Sequence, residues 1–144
     1  MAKIIRVHDK ISLEQIEAFE DRTNVKFPVQ YKKFLTEFNG GRVEPNVFKI
    51  SPEEGESVVN IFYGIGSMKG NLEKKFIFFD EILEIGFIPI ASDPGGNQVC
   101  LGVTEDFYEE IYFWVHDEEY DDVMDNMHFL AKNIEEFLDN LYDD

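Results

Sequence analysis

The spacing of apolar residues changes once along this chain, from helical to alternating, and that change fixes the class of fold. Ser12-Leu13-Glu14-Gln15 has the form of a capping box, and Leu13, Ile16 and Phe19 follow at helical intervals, which predicts a helix over 13–23. Pro28 suits the first turn of a second helix, where a missing N–H costs nothing, and Tyr31, Phe34, Leu35 and Phe38 give that helix a wide apolar stripe. Asn39-Gly40-Gly41 ends it, because glycine accepts the left-handed backbone that closes a helix.

Beyond that point the pattern is mostly that of strands. Residues 47–50 and 57–63 read as two strands around the turn-rich Ser51-Pro52-Glu53-Glu54-Gly55. A loop over 64–71 leads to a third helix marked by Leu72, Phe76, Phe79 and Leu83. Strands are expected at 87–91, 98–103 and 111–115, with a shorter one at 129–131 and an exposed loop over 117–125. Pro89 cannot donate to a ladder, so its strand must be an edge or carry a bulge. Asn133 with Glu136 three residues on caps a last helix, whose buried face is Ile134, Phe137, Leu138 and Leu141. Helices first, strands in the middle and a helix last imply an α+β fold, a mainly antiparallel sheet flanked by N-terminal and C-terminal helices. Residues 1–144 are expected to form one domain.

A chain of 144 residues buries roughly 70 % of its unfolded surface, and 14 Phe, 6 Tyr and one Trp supply apolar bulk that disordered chains lack. The longest strictly apolar runs, 111–115 and 76–79, fall far short of the roughly 20 residues of a membrane span. The first residues lack the long apolar stretch of a signal peptide, so a cytoplasmic location is expected. A single cysteine, Cys100, excludes an internal disulfide and a multi-cysteine zinc site.

Charge is distributed very unevenly. Residues 1–72 hold 10 basic and 10 acidic side chains, whereas 73–144 hold 3 and 20, so the whole net charge of −17 resides in the second half. Ten carboxylates fall between Glu105 and Asp125 without one Lys or Arg. Such a segment repels phosphate backbones and anionic lipid, which argues against nucleic-acid and membrane partners. A basic protein is what it attracts, and complementary fields raise association rates by roughly 10 to 1,000-fold.

Other motifs carry less. Gly64-Ile65-Gly66-Ser67-Met68-Lys69-Gly70 is one residue too long for a dinucleotide-binding turn and reads as a plain loop, so no cofactor is expected. Cys100 lies in the apolar run Val99-Cys100-Leu101, the setting of a buried thiol rather than of a nucleophile paired with His116 or His128. The run 117–122 lacks the ligand order and glycine turn of a calcium loop, so no dedicated metal site is expected. No catalytic residue is assigned, and the chain is read as a non-enzyme. Asp93-Pro94-Gly95-Gly96-Asn97 reads as a turn in which Asn97 either shapes a hairpin or touches a partner.

Several motifs occur together in order: Phe27-Pro28 with Tyr31, Phe34 and Leu35; Asn39-Gly40-Gly41; Gly64 and Gly66; Ile88-Pro89-Ile90-Ala91-Ser92-Asp93 with Gly96-Asn97; and Ile111-Tyr112-Phe113-Trp114. Over about residues 12–142 the chain resembles the SUKH superfamily. Bacterial members are known mainly as immunity proteins that neutralise toxins, many of them nucleases, and fungal members as cell-wall synthesis regulators. Many relatives carry a glycine just before the Ile/Val-Tyr strand, where this chain has Tyr108-Glu109-Glu110.

The resemblance thus implies an immunity protein, or alternatively a regulatory interaction module with no toxin partner. Combined with the charge, it points to a partner surface for a basic toxin made of Glu105, Asp106, Tyr108, Glu109, Glu110, Asp117, Glu118, Glu119, Tyr120, Asp121, Asp122 and Asp125. Tyr112 and Trp114, on one face of their strand with Phe113 on the other, are either further aromatic anchors or core residues, since at least one face must be buried. Tyr108 and Tyr120 are expected to be more exposed than Trp114.

Overall fold

The computed structural model describes residues 2–5, 8–116 and 122–143. In chain order it runs β1 (Lys3–Ile5), α1 (Leu13–Thr23), α2 (Val29–Glu37), β2 (Arg42–Glu44), β3 (Val47–Ser51), β4 (Gly55–Val58), β5 (Ile61–Phe62), α3 (Leu72–Phe78), α4 (Asp80–Glu84), β6 (Phe87–Ser92), β7 (Gln98–Gly102), β8 (Ile111–Trp114), β9 (Met127–Ala131) and α5 (Ile134–Asn140). Short 3-10 turns at Glu105–Phe107 and Val123–Asn126 precede β8 and β9. Strands β5 to β9 form one antiparallel sheet in sequence order, while β1 with β2 and β3 with β4 make separate two-stranded ladders. The expected α+β class with a mainly antiparallel sheet is what the chain adopts.

The helices begin where the sequence marks them. Ser12 accepts from the Gln15 N–H at 3.1 Å and the Gln15 side chain accepts from the Ser12 N–H at 2.9 Å, a complete capping box. Asn133 accepts from the Glu136 N–H at 2.9 Å in the same manner. Pro28 sits one position earlier than expected, as the residue that precedes the first helical turn of α2. Buried Ile16, Phe19, Tyr31, Phe34 and Leu35 turn both helices into the main core, where they meet Phe62, Phe113 and Phe137.

Three details depart from the expected pattern, and the choice left open at Pro89 is settled. The strand over 57–63 is split, because Val58 pairs with Val47 whereas Ile61 pairs with Ser92; the chain leaves one ladder and joins another across Val59 and Asn60. The third helix breaks at Phe79, whose ψ of 42° lies outside the helical range. The break carries the chain from one apolar cluster to the other, since Leu72 and Phe76 belong to the main core and Phe79 and Ile82 to the second. The ladder Lys3↔Glu44, Ile4↔Val43, Ile5↔Arg42 was not expected at all. Pro89 resolves as a bulge, with the register against β7 shifting between Pro89 and Ala91.

Both faces of the sheet are apolar. Val99, Leu101, Ile111 and Phe113 face the main core, and Phe87, Cys100, Trp114 and Met127 face a second, smaller cluster. The period-2 alternation along β8 therefore divides its aromatics as expected, with Tyr112 and Trp114 against Phe113. Phe107 and Tyr112, both only partly buried, pack against the second cluster.

Candidate functional site

The site grows from the loop between β7 and β8. Gly102 permits that loop to fold back tightly, because a Cβ there would lie 1.8 Å from the Phe107 carbonyl oxygen. Backbone bonds from Gly102 N–H to Glu110 O (2.8 Å) and from Glu109 N–H to Gly102 O (2.9 Å) close it. Closing the loop leaves Glu109 at φ +72°, in the left-handed region that a side chain other than glycine enters at a cost. Gly86, at φ +93° with Thr104 where its Cβ would stand, gives the loop room from below.

This loop and the open sheet face bring together a row of rings. Phe87, Phe107, Tyr112 and Phe129 follow one another with centroid separations of 4.9, 5.8 and 5.5 Å. Tyr112 and Phe129 face each other across β8 and β9 as direct register partners. Phe129 is 48 % exposed and Tyr108 49 %, whereas Trp114 is withdrawn to 3 %. Phe129 and Phe107 were not singled out from the sequence. Only the partner of Phe129 in β8 identifies its face, and that register depends on an irregularity between Ile111 and Tyr112.

Carboxylates flank these rings. Glu105 and Asp106 are exposed and begin the 3-10 turn, and Glu109 and Glu110 are half-buried beside β8. The Tyr112 hydroxyl donates to Glu110 Oε1 at 3.3 Å. Burial first, and then the Glu110 carboxylate, push the Tyr112 phenol above its ordinary range, so it remains a neutral donor. Asp122 and Asp125 serve their own turn: Asp122 Oδ1 accepts from the Met124 N–H at 2.9 Å, and Asp125 Oδ2 accepts from the Asp122 N–H at 3.3 Å. Asp117, Glu118, Glu119, Tyr120 and Asp121 lie outside the described residues.

Among the described residues, the ion pairs are Arg22–Glu73, Lys26–Asp21 and Lys32–Glu20, and none of them includes Glu105, Asp106, Glu109, Glu110, Asp122 or Asp125. The described carboxylates around the aromatic row are therefore not tied up in ion pairs with described Lys or Arg side chains. Also among the described residues, no three His, Cys, Asp or Glu side chains converge as metal ligands. Cys100 is buried and burial raises its thiol pKa, which suits packing and opposes nucleophilic chemistry. Asn97 spends its side chain inside the chain, donating to Asp93 Oδ2 of its own turn at 3.1 Å and accepting from the His116 N–H beyond β8 at 3.0 Å. No helix among the described residues is long and apolar enough to cross a membrane.

What the arrangement can do follows from these contents: it offers rings for apolar contact inside a rim of carboxylates, and so suits a cationic surface. Comparison with known proteins agrees with the fold. The model of the SMI1 / KNR4 family (SUKH-1) matches residues 10–140. The chain is also 26 % identical, over 91 % of its length and 74 % of the relative's, to the SPbeta prophage-derived uncharacterized protein YokK of Bacillus subtilis (strain 168).

Proposed function

Because the chain belongs to the SMI1/KNR4 (SUKH-1) family, we propose that it is an immunity protein that binds a cognate bacterial toxin domain, a basic nuclease, in the cytoplasm. It acts by occupancy and not by catalysis. The carboxylates of Glu105, Asp106, Glu109 and Glu110, together with those of 117–122, engage Lys and Arg that would otherwise hold phosphate. Tyr108, Tyr112 and Phe129 supply the apolar centre, since interface energy concentrates in a few aromatic anchors while rim charges set the rate of encounter.

One observation carries this reading: exposed rings stand among carboxylates that, in the described residues, have no cationic partner within the chain. Carboxylates bonded to their own lysines would add little to the outside field, and a surface made only for solubility has no use for exposed Tyr108 and Phe129. The test is co-expression with the product of the adjacent gene. Rescue of growth and co-purification with a basic toxin are expected, both reduced by Tyr108→Ala with Phe129→Ala. A neighbour that is neither toxic nor bound removes the immunity reading, and a bound regulatory protein in its place establishes the alternative.

A further inference from the structure

The chain already holds one cation of its own between a ring and a carboxylate. Arg22 Cζ lies 5.2 Å from the centre of the Phe19 ring, while Arg22 Nε and Nη2 donate to the two oxygens of Glu73 at 3.2 and 3.4 Å. A guanidinium suits both contacts at once, because it is flat, weakly hydrated and forked. Among the described residues, the lysines take one contact or the other. Lys26 and Lys32 pair with carboxylates, whereas Lys75 Nζ stands 5.2 Å from the centre of the Tyr63 ring and belongs to none of the ion pairs.

The surface over β8 and β9 presents the same kinds of group without the cation. Phe107, Tyr112 and Phe129 stand in succession with interplanar angles of 78° and 83°, so neighbouring rings meet in corners. A ring face is its electron-rich side, and Phe129 is largely uncovered. The Tyr112 hydroxyl occupies Glu110 Oε1, and among the described residues Glu110 Oε2 accepts no hydrogen bond. Glu110 is half-buried, so salt screens a pair formed with it less than one formed with exposed Glu105 or Asp106. Lys132, the one Lys or Arg beyond Lys75, is exposed just after β9 and enters none of the ion pairs among the described residues.

Resting on the reading that this surface binds a basic protein, we propose that the corner of Phe129 and Tyr112 beside Glu110 takes an arginine of the partner in preference to a lysine. The guanidinium lies against the Phe129 ring and turns its N–H edge to the Glu110 carboxylate, which the Tyr112 hydroxyl holds in place. An ammonium is a compact and strongly hydrated charge, so it gains the carboxylate and less from the rings. The exposed acids around the corner attract either cation, and the rings separate the two.

The test follows the assigned amides of Glu110, Tyr112 and Phe129 in ¹H–¹⁵N spectra of the full chain at low salt. The probes are acetyl-Gly-Arg-Gly-amide and its Lys and citrulline analogues, the last being uncharged and nearly the shape of arginine. The Arg peptide should move these peaks saturably with a Kd of about 1–10 mM. The Lys peptide should bind about threefold more weakly or worse, and the citrulline peptide should not bind. Phe129→Leu, a change at a half-exposed position, should bring the Arg peptide down to the level of the Lys peptide and leave the latter unchanged. Equal affinity for Arg and Lys in the wild type, or an Arg preference that survives Phe129→Leu, overturns the proposal and leaves the basic-partner reading standing. Peaks that neither cation moves at about 20 mM overturn both.

Discussion

Replacing Glu109 by glycine and, separately, by alanine tests whether the loop that presents the acidic surface is held in a costly conformation. Both substitutions remove the same carboxylate, so their difference isolates the backbone. At an ordinary position alanine is the more stable of the two by roughly 0.4–1 kcal/mol, because glycine gives the unfolded chain more freedom to lose. At Glu109, φ is +72°, where any residue with a Cβ carries about 1–2 kcal/mol of strain that glycine does not. Subtracting the first effect from the second leaves Glu109→Gly more stable than Glu109→Ala by about 0.5–1 kcal/mol, and the usual order is inverted. For a chain of this length that is roughly 2–4 °C in Tm per kcal/mol, and urea midpoints at constant m-value would resolve it. Equal stability, or alanine above glycine, would refute the reasoning.

Other consequences concern the core. Burial raises the phenols of Tyr31 and Tyr63, the latter to about 12, while the unfolded chain ionises near 10; this stability is whole below pH 10 and drains away as pH rises toward 12. Urea unfolding between these limits should show that fall, and Tyr63→Phe should make it shallower. Native protein should leave Cys100 unmodified by a thiol reagent such as dithionitrobenzoate until urea is added, and rapid native labelling would contradict the packing described. Glu20 is buried, accepting from the Phe27 N–H at 2.6 Å and pairing with Lys32 at 3.3 Å. Glu20→Ala should therefore cost about 2–3 kcal/mol by denaturant titration, far above the effect of an exposed acid such as Glu17.

How much of this was legible beforehand depended on how local the determining contacts are. Helices α1, α2 and α5 announce themselves through Ser12 with Gln15, Pro28, and Asn133 with Glu136, each acting within one turn of chain. The β1–β2 ladder has no such signal, because three residues show no period and Ile4 finds Val43 only across most of two helices. The division of the third helix at Phe79 reflects two apolar clusters on opposite faces of a sheet that a linear pattern does not contain. For the site, the acidity of 105–125 and the alternation of Tyr112, Phe113 and Trp114 are plain in the sequence. The role of Phe129 is not, since it depends on register with β8, and neither are the cap bonds that occupy Asp122 and Asp125.

The proposed docking surface is tested most directly by stopped-flow association of this chain with the basic toxin domain proposed as its partner, across a range of salt. Wild type should associate fast at low ionic strength and slow steeply as salt is added, since exposed charges act over a screening length of about 8 Å at physiological salt. Reversing Glu105, Asp106, Glu118 and Glu119 to Lys should slow association by at least about tenfold at low salt and flatten the salt dependence. Reversed and wild-type proteins with the same rate at low salt would contradict the claim that these carboxylates face the partner.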